Sequence, residues 1–130
     1  MTAIDLINSA KKAAENAYSP YSHFKVGAAL LCKDSTIYTG CNIENASFGV
    51  TCCAERVALF KAIRENKTEF CDIAIVGGKD EDYAHPCTPC GICRQALSEF
   101  CNCDFKVHLC DGENIITLTL AELLPHSFSL

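Results

Sequence analysis

A chain of 130 residues, 49% hydrophobic, is sized for one domain with a full core, and residues 1–130 read as a single unit. A net charge of −5 without a Lys/Arg cluster argues against nucleic acid, whose binding needs concentrated positive charge. Met1-Thr2-Ala3-Ile4-Asp5 lacks the basic, then apolar form of an export signal, and the longest apolar run, Val26 to Cys32, is far too short for a membrane span. The expectation is a cytoplasmic protein.

In chain order, Ile4 to Ala17 has the helical period, with Lys11, Lys12 and Glu15 outside. Pro20 breaks that pattern. Val26 to Cys32 and Ile37 to Cys41 read as strands joined by the turn Lys33-Asp34-Ser35-Thr36. Asn42 to Cys52 is a polar loop. Ala54 to Glu65 is a helix that is apolar almost all round, so it is expected to be buried, with Asn66 near its end. Cys71 to Gly77 is apolar enough for a central strand, and Gly78 to Pro89 is a loop. Gly91 to Cys101 is a helix with Ile92, Leu97 and Phe100 facing inward. Phe105 to Cys110 and Ile115 to Leu118 are strands around an Asp111-Gly112 turn. Thr119 to Glu122 opens a short helix that Pro125 ends. The later alternation of helix and strand implies parallel pairing, and the early hairpin adds an antiparallel edge. The expected fold is α/β: a mixed five-stranded sheet in a three-layer α/β/α sandwich.

The cysteines number 11, an odd count without an export signal, so reduced thiols, some on a metal, fit better than disulfides. Cys32, Cys41, Cys71, Cys103 and Cys110 read as small apolar packing residues. Cys87, Cys90 and Cys93 form two overlapping C-x-x-C pairs. Proline suits a first helical residue, so Pro89 marks a helix start and puts Cys90 and Cys93 on its first turn. Backbone N–H groups and the helix dipole favour thiolates there. Cys87 falls outside, as a bystander. Zinc prefers four ligands, and Cys53, also at a helix start, supplies a third, leaving one position open for water. Cys52 competes for that role. Cys53 is favoured because it puts Glu55 near the metal but off it, and puts Arg56 at i+3, where it offsets the charge of three thiolates. Glu55 heads an apolar stripe, which is costly unless a metal, a charge or a ligand needs it. The competing readings are a thioredoxin-like redox pair, a closed four-cysteine zinc site using Cys52 or Cys87, and plain core cysteines.

Cys53-Ala54-Glu55 with Pro89-Cys90-Gly91-Ile92-Cys93 resembles the signature of zinc-dependent cytidine deaminases. Tyr21-Ser22-His23-Phe24-Lys25-Val26-Gly27-Ala28-Ala29, Gly40-Cys41-Asn42-Ile43-Glu44-Asn45-Ala46, Cys90-Gly91-Ile92-Cys93-Arg94-Gln95 and Glu122-Leu123-Leu124-Pro125 look like the small homotetrameric members, in register over nearly the whole chain. The resemblance implies a cytidine deaminase-like fold and hydrolysis of cytidine and 2′-deoxycytidine to uridine and 2′-deoxyuridine plus ammonia, a pyrimidine-salvage reaction. It implies one Zn²⁺ per subunit on Cys53, Cys90 and Cys93, with Glu55 as the proton carrier. Phe24 would pack on the pyrimidine, Asn42 and Glu44 would bind the ribose 3′-hydroxyl, and the Ala54 backbone would read the base amide edge. Phe128 would close a neighbouring subunit's pocket in a homotetramer. The chain departs from relatives in Phe48, where Tyr is frequent, in the extra Cys52 and Cys87, and in an all-cysteine ligand set where some relatives use His. A polynucleotide cytosine as substrate and a non-catalytic zinc module are the competing functions.

Overall fold

A computed structural model describes all residues, 1–130. Helix α1, Ala3–Ala14, begins in a capping box: Thr2 accepts from the Asp5 N–H, and the Asp5 side chain accepts from the Thr2 N–H. Leu6, Ile7, Ala10 and Ala14 recur at helical spacing and are buried. The helix stops three residues before the expected Ala17. There the chain leaves for an extended path, where Tyr18 N–H donates to the Asn42 carbonyl at 3.0 Å and Tyr18 bridges Ile43.

Strands β1 (Phe24–Cys32) and β2 (Ile37–Cys41) form the expected hairpin, turning through Ser35 at φ 74°. Helix α2 (Ala54–Arg64) follows and ends before Asn66, whose left-handed φ of 63° stops it. Then come β3 (Phe70–Lys79), α3 (Gly91–Phe100), β4 (Lys106–Asp111), β5 (Asn114–Thr119) and the short α4 (Leu120–Leu123), which has its own Thr119–Glu122 capping box. The sheet order is β2-β1-β3-β4-β5, with β3 central as expected.

Only β3–β4 is parallel; every other pair is antiparallel. The alternation of helix and strand overstates the parallel content because the crossover through α2 skips a strand. β2 runs the same way as β3, but β1 lies between them and opposes both.

Side chains alternate across the sheet and build two cores. On one face Ala29, Ala74, Val76 and Cys110 meet Leu6, Ile7, Ala10 and Ala14 of α1. On the other, Ala28, Leu30, Ile73, Ile75, Val107 and Leu109 meet Ala58, Leu59, Ala62 and Leu97 of α2 and α3. This is the expected three-layer α/β/α arrangement. Truncating a fully buried Leu59 or Leu97 to Ala costs ~2–5 kcal/mol in such a core.

Two packing expectations fail. Helix α2 is not buried all round, since Phe60 is 50% exposed. In α3, Leu97 faces inward beside Cys93, but Ile92 points outward at 65% exposure and Phe100 lies at the surface. Apolar character alone did not say which face meets the sheet. Helix α2 instead lies tight on β2, where a Cβ at Gly40 would come within 2.6 Å of the Ala58 nitrogen. Both α2 and α3 start beyond the ends of β2 and β3, which run in the same direction, so their N-termini share one edge of the sheet.

Candidate metal centre and active site

At that shared edge, three sulfurs converge. Cys53 is the N-cap of α2, Cys90 the N-cap of α3, and Cys93 sits in the first turn of α3. Their Sγ atoms all lie within 4.8 Å of one another, with Cys53 and Cys90 3.7 Å apart. The Cys93 N–H donates to Cys90 Sγ at 3.5 Å, so the helix end itself binds sulfur. Pro89 was expected as the first helical residue and instead lies two positions before it. Cys90, in extended backbone at φ −67° and ψ 168°, takes the cap, and the Pro89 carbonyl accepts from Arg94 Nε at 2.7 Å. The thiol pair stays one turn apart, because an N-cap and the third helical residue face each other.

Cys52 and Cys87 stand outside the group of three. Cys52 is held in a bridge to Ile43, with both backbone bonds at 2.9 Å. Burial, then the charges of Glu55 and Cys53, push the Cys87 thiol up to about 12. A fourth cysteine does not close the cluster, and a simple redox pair leaves Cys53 unexplained.

Charge at the cluster is balanced from α2. The Arg56 guanidinium reaches Cys53 Sγ at 3.6 Å and the Thr51 carbonyl at 3.5 Å through Nη2. A proton from the Cys93 thiol pulls Cys53 well below the ordinary thiol range; burial opposes this and Arg56 assists it. Cys93 is raised by the same shared proton. Arg56 Nε is buried with no acceptor. Zinc fits this donor set on two counts. Three clustered thiols are the soft ligands it takes, and their thiolates accept hydrogen bonds more strongly than thiols, which suits the orphaned Nε–H.

Glu55 follows Cys53 by two residues and is only 4% exposed. Burial pushes its carboxyl up to about 7, partly opposed by its own backbone N–H, and the nearby Cys53 charge adds to the rise. A carboxyl poised near neutrality beside a metal site can both take and return a proton.

Phe24, Asn42 and Glu44 come together as a wall of their own on β1 and the loop after β2. Phe24 opens β1, and its ring lies over Gly77: a Cβ there would sit 2.9 Å from the ring and 2.6 Å from Cys87 Sγ. Asn42 is buried and accepts from the Val26 N–H and donates to the Phe24 carbonyl, each at 2.8 Å. These bonds leave one N–H and one lone pair of its amide uncommitted. Glu44 accepts the N–H groups of Tyr21 at 2.9 Å and Ser22 at 3.1 Å. Ala54 is the first, fully buried residue of α2. Phe128 lies apart from this wall, 67% exposed, its carbonyl accepting from Gln95 Nε2 at 3.4 Å. It joins Phe60, Ile92 and Phe100 along an open groove of about 700 Å³ that Arg56 also lines.

Sequence reasoning missed two contributors to this wall. Cys87 sits beside Phe24 on the bare backbone of Gly77, and a glycine closing a central strand was the available signal. Ser22 binds both Glu44 and the Phe24 backbone, and no local pattern announces it.

A family model described as the cytidine and deoxycytidylate deaminase zinc-binding region matches residues 2–109. A cytidine deaminase of Sporosarcina psychrophila is 50% identical over 125 residues, spanning 95% of this chain and 89% of that one. A cytidine deaminase of Halalkalibacterium halodurans is also 50% identical over 125 residues, spanning 95% and 92%. The crystal structure of a cytidine deaminase from Burkholderia pseudomallei superposes with a TM-score of 0.90 at 44% identity, covering 98% of this chain and 100% of that one.

Proposed function

Because the chain belongs to the cytidine and deoxycytidylate deaminase family, we propose that it removes the 4-amino group of cytidine and 2′-deoxycytidine by hydrolysis. The products are uridine or 2′-deoxyuridine and ammonia, a reaction suited to pyrimidine salvage. One observation carries the reading: a buried carboxyl, Glu55, raised to about 7 and fixed two residues from a three-sulfur cluster.

Cys53, Cys90 and Cys93 would hold one zinc ion per subunit, and zinc when bound supplies Lewis acidity that makes water a better acid. Glu55 takes a proton from the water that attacks C4 and delivers it to N3. It then carries the second proton to the amino group, which leaves as ammonia. Being fixed on the helix start that also carries a ligand, Glu55 needs no search to reach either atom. Arg56 holds the Cys53 sulfur and offsets its charge. Phe24 covers the pyrimidine, the Ala54 backbone reads the base edge, and the uncommitted groups of Asn42 together with Glu44 take the ribose 3′-hydroxyl.

We read the assembly as a homotetramer in which Phe128 of one subunit closes the pocket of another. The open groove of Phe60, Ile92, Phe100 and Phe128 supports this, since exposed apolar clusters of this kind mark interfaces. A cytoplasmic setting agrees with 11 unpaired cysteines, and no helix is long and apolar enough to cross a membrane. The whole chain, 1–130, would act as one catalytic domain.

The test is product analysis with cytidine, 2′-deoxycytidine and a single-stranded oligonucleotide containing cytosine. Both nucleosides should be converted and the oligonucleotide left intact. Conversion of the oligonucleotide alone would replace the nucleoside reading with the polynucleotide one.

A further inference from the structure

Phe24 is gripped at both of its backbone groups by side chains. Its N–H donates to Ser22 Oγ at 3.0 Å, and its carbonyl accepts from Asn42 Nδ2 at 2.8 Å. Ser22 in turn donates its hydroxyl proton to Glu44 Oε2. The direction is fixed, because an ionised carboxylate only accepts and a hydroxyl has one proton to give. Glu44 Oε1 accepts the Tyr21 and Ser22 N–H groups, and the Glu44 N–H donates to the Tyr18 carbonyl at 2.8 Å. The Ser22 hydroxyl holds the Glu44 carboxyl below its ordinary range more than any other group does. His23, at φ 59°, makes the sharp turn that brings Ser22 back onto the amide of residue 24.

We propose that Ser22 is a positioning residue for the nucleoside, its hydroxyl locking the Glu44 carboxylate and the Phe24 backbone into one unit. The proposal rests on the roles read above for Glu44 at the ribose and Phe24 at the pyrimidine. In a nucleoside the distance from base to sugar is fixed by the glycosidic bond. Two contacts that can move independently lose affinity, and two that are tied together keep it. Ser22 ties them through the Glu44 carboxylate and the Phe24 amide.

The test uses the zinc-loaded enzyme and separates KM from kcat. Ser22→Ala should raise KM for cytidine about 10-fold, as expected for losing a hydrogen bond to a charged group. Its kcat should stay within about twofold, and its zinc content should be unchanged. Ser22→Thr, which keeps the hydroxyl, should restore KM. In a Glu44→Ala background, the Ser22→Ala change should add less than about threefold to KM, because the two residues act as one unit. An unchanged KM in Ser22→Ala, a loss confined to kcat, or effects of Ser22 and Glu44 that multiply would each overturn the proposal. If Glu44→Ala alone leaves KM for cytidine unchanged, the ribose role of Glu44 fails separately. Thermal midpoints then decide on the coupling: losses in the double variant that fall short of the sum support it, and additive losses overturn it.

Discussion

Glu55 should make the metal-free protein less stable as the pH rises, and Glu55→Gln should relieve that. The carboxyl is raised from an ordinary 4.5 to about 7 in the folded state, first by burial. The folded protein therefore prefers the protonated form. That preference is fully satisfied below about pH 4.5 and is lost as the pH rises through about 7. At about 1.4 kcal/mol per pH unit, the gap amounts to ~3 kcal/mol above pH 7. The figure needs little discount for solvent screening, because the residue is 4% exposed. Gln keeps the shape and cannot ionise. In chelator-treated protein, Glu55→Gln should thus match the parent near pH 4.5 and exceed it by ~3 kcal/mol at pH 8, about 10 °C in midpoint for a chain of this size. Cys53 is ionised over part of this range and its charge adds to the Glu55 rise, so the gap includes the repulsion between the two. Thermal unfolding followed by circular dichroism across the pH range reads the difference. Equal midpoints at pH 8, or a gap that does not shrink toward pH 4.5, would refute the claim that a buried, only partly compensated carboxylate sits at the head of α2.

Further outcomes follow from the same geometry. Arg56→Gln removes the guanidinium from Cys53 and should speed zinc loss to a chelating dye about 10-fold or more, the usual scale for groups that support metal ligands. Cys87→Ser should keep full zinc by elemental analysis, because Cys87 stands outside the sulfur cluster, whereas Cys90→Ser should lose it. Phe60→Glu puts a charge in the exposed apolar groove and should yield a smaller species by sedimentation, with cytidine turnover falling as the assembly comes apart.

The metal half of the site was legible in the sequence because its spacing carries the geometry. Cys90 and Cys93 are one turn apart wherever that helix starts, so misplacing Pro89 by two positions left the pair intact. Cys53-Ala54-Glu55 likewise fixes a ligand and a carboxyl on one helix start. The sheet was legible in its five strands and its central β3, but not in its pairing. Antiparallel β1–β3 contact is a tertiary choice that no period reveals. The outward turn of Phe60, Ile92 and Phe100 was hidden for a related reason: an apolar residue asks for cover without saying whether the sheet or another surface supplies it. The surroundings of Phe24 were least legible. Cys87 and Phe24 meet over Gly77 inside β3, and Ser22 reaches Glu44 across 22 positions of chain.

The central claim is that Glu55 moves protons for a zinc site it does not build. Zinc content and cytidine turnover, measured together on Glu55→Gln purified with its metal, test it most directly. The account predicts about one zinc per chain, as in the parent, with kcat lower by a factor of about 10² to 10⁴. Full zinc with near-normal kcat would contradict it.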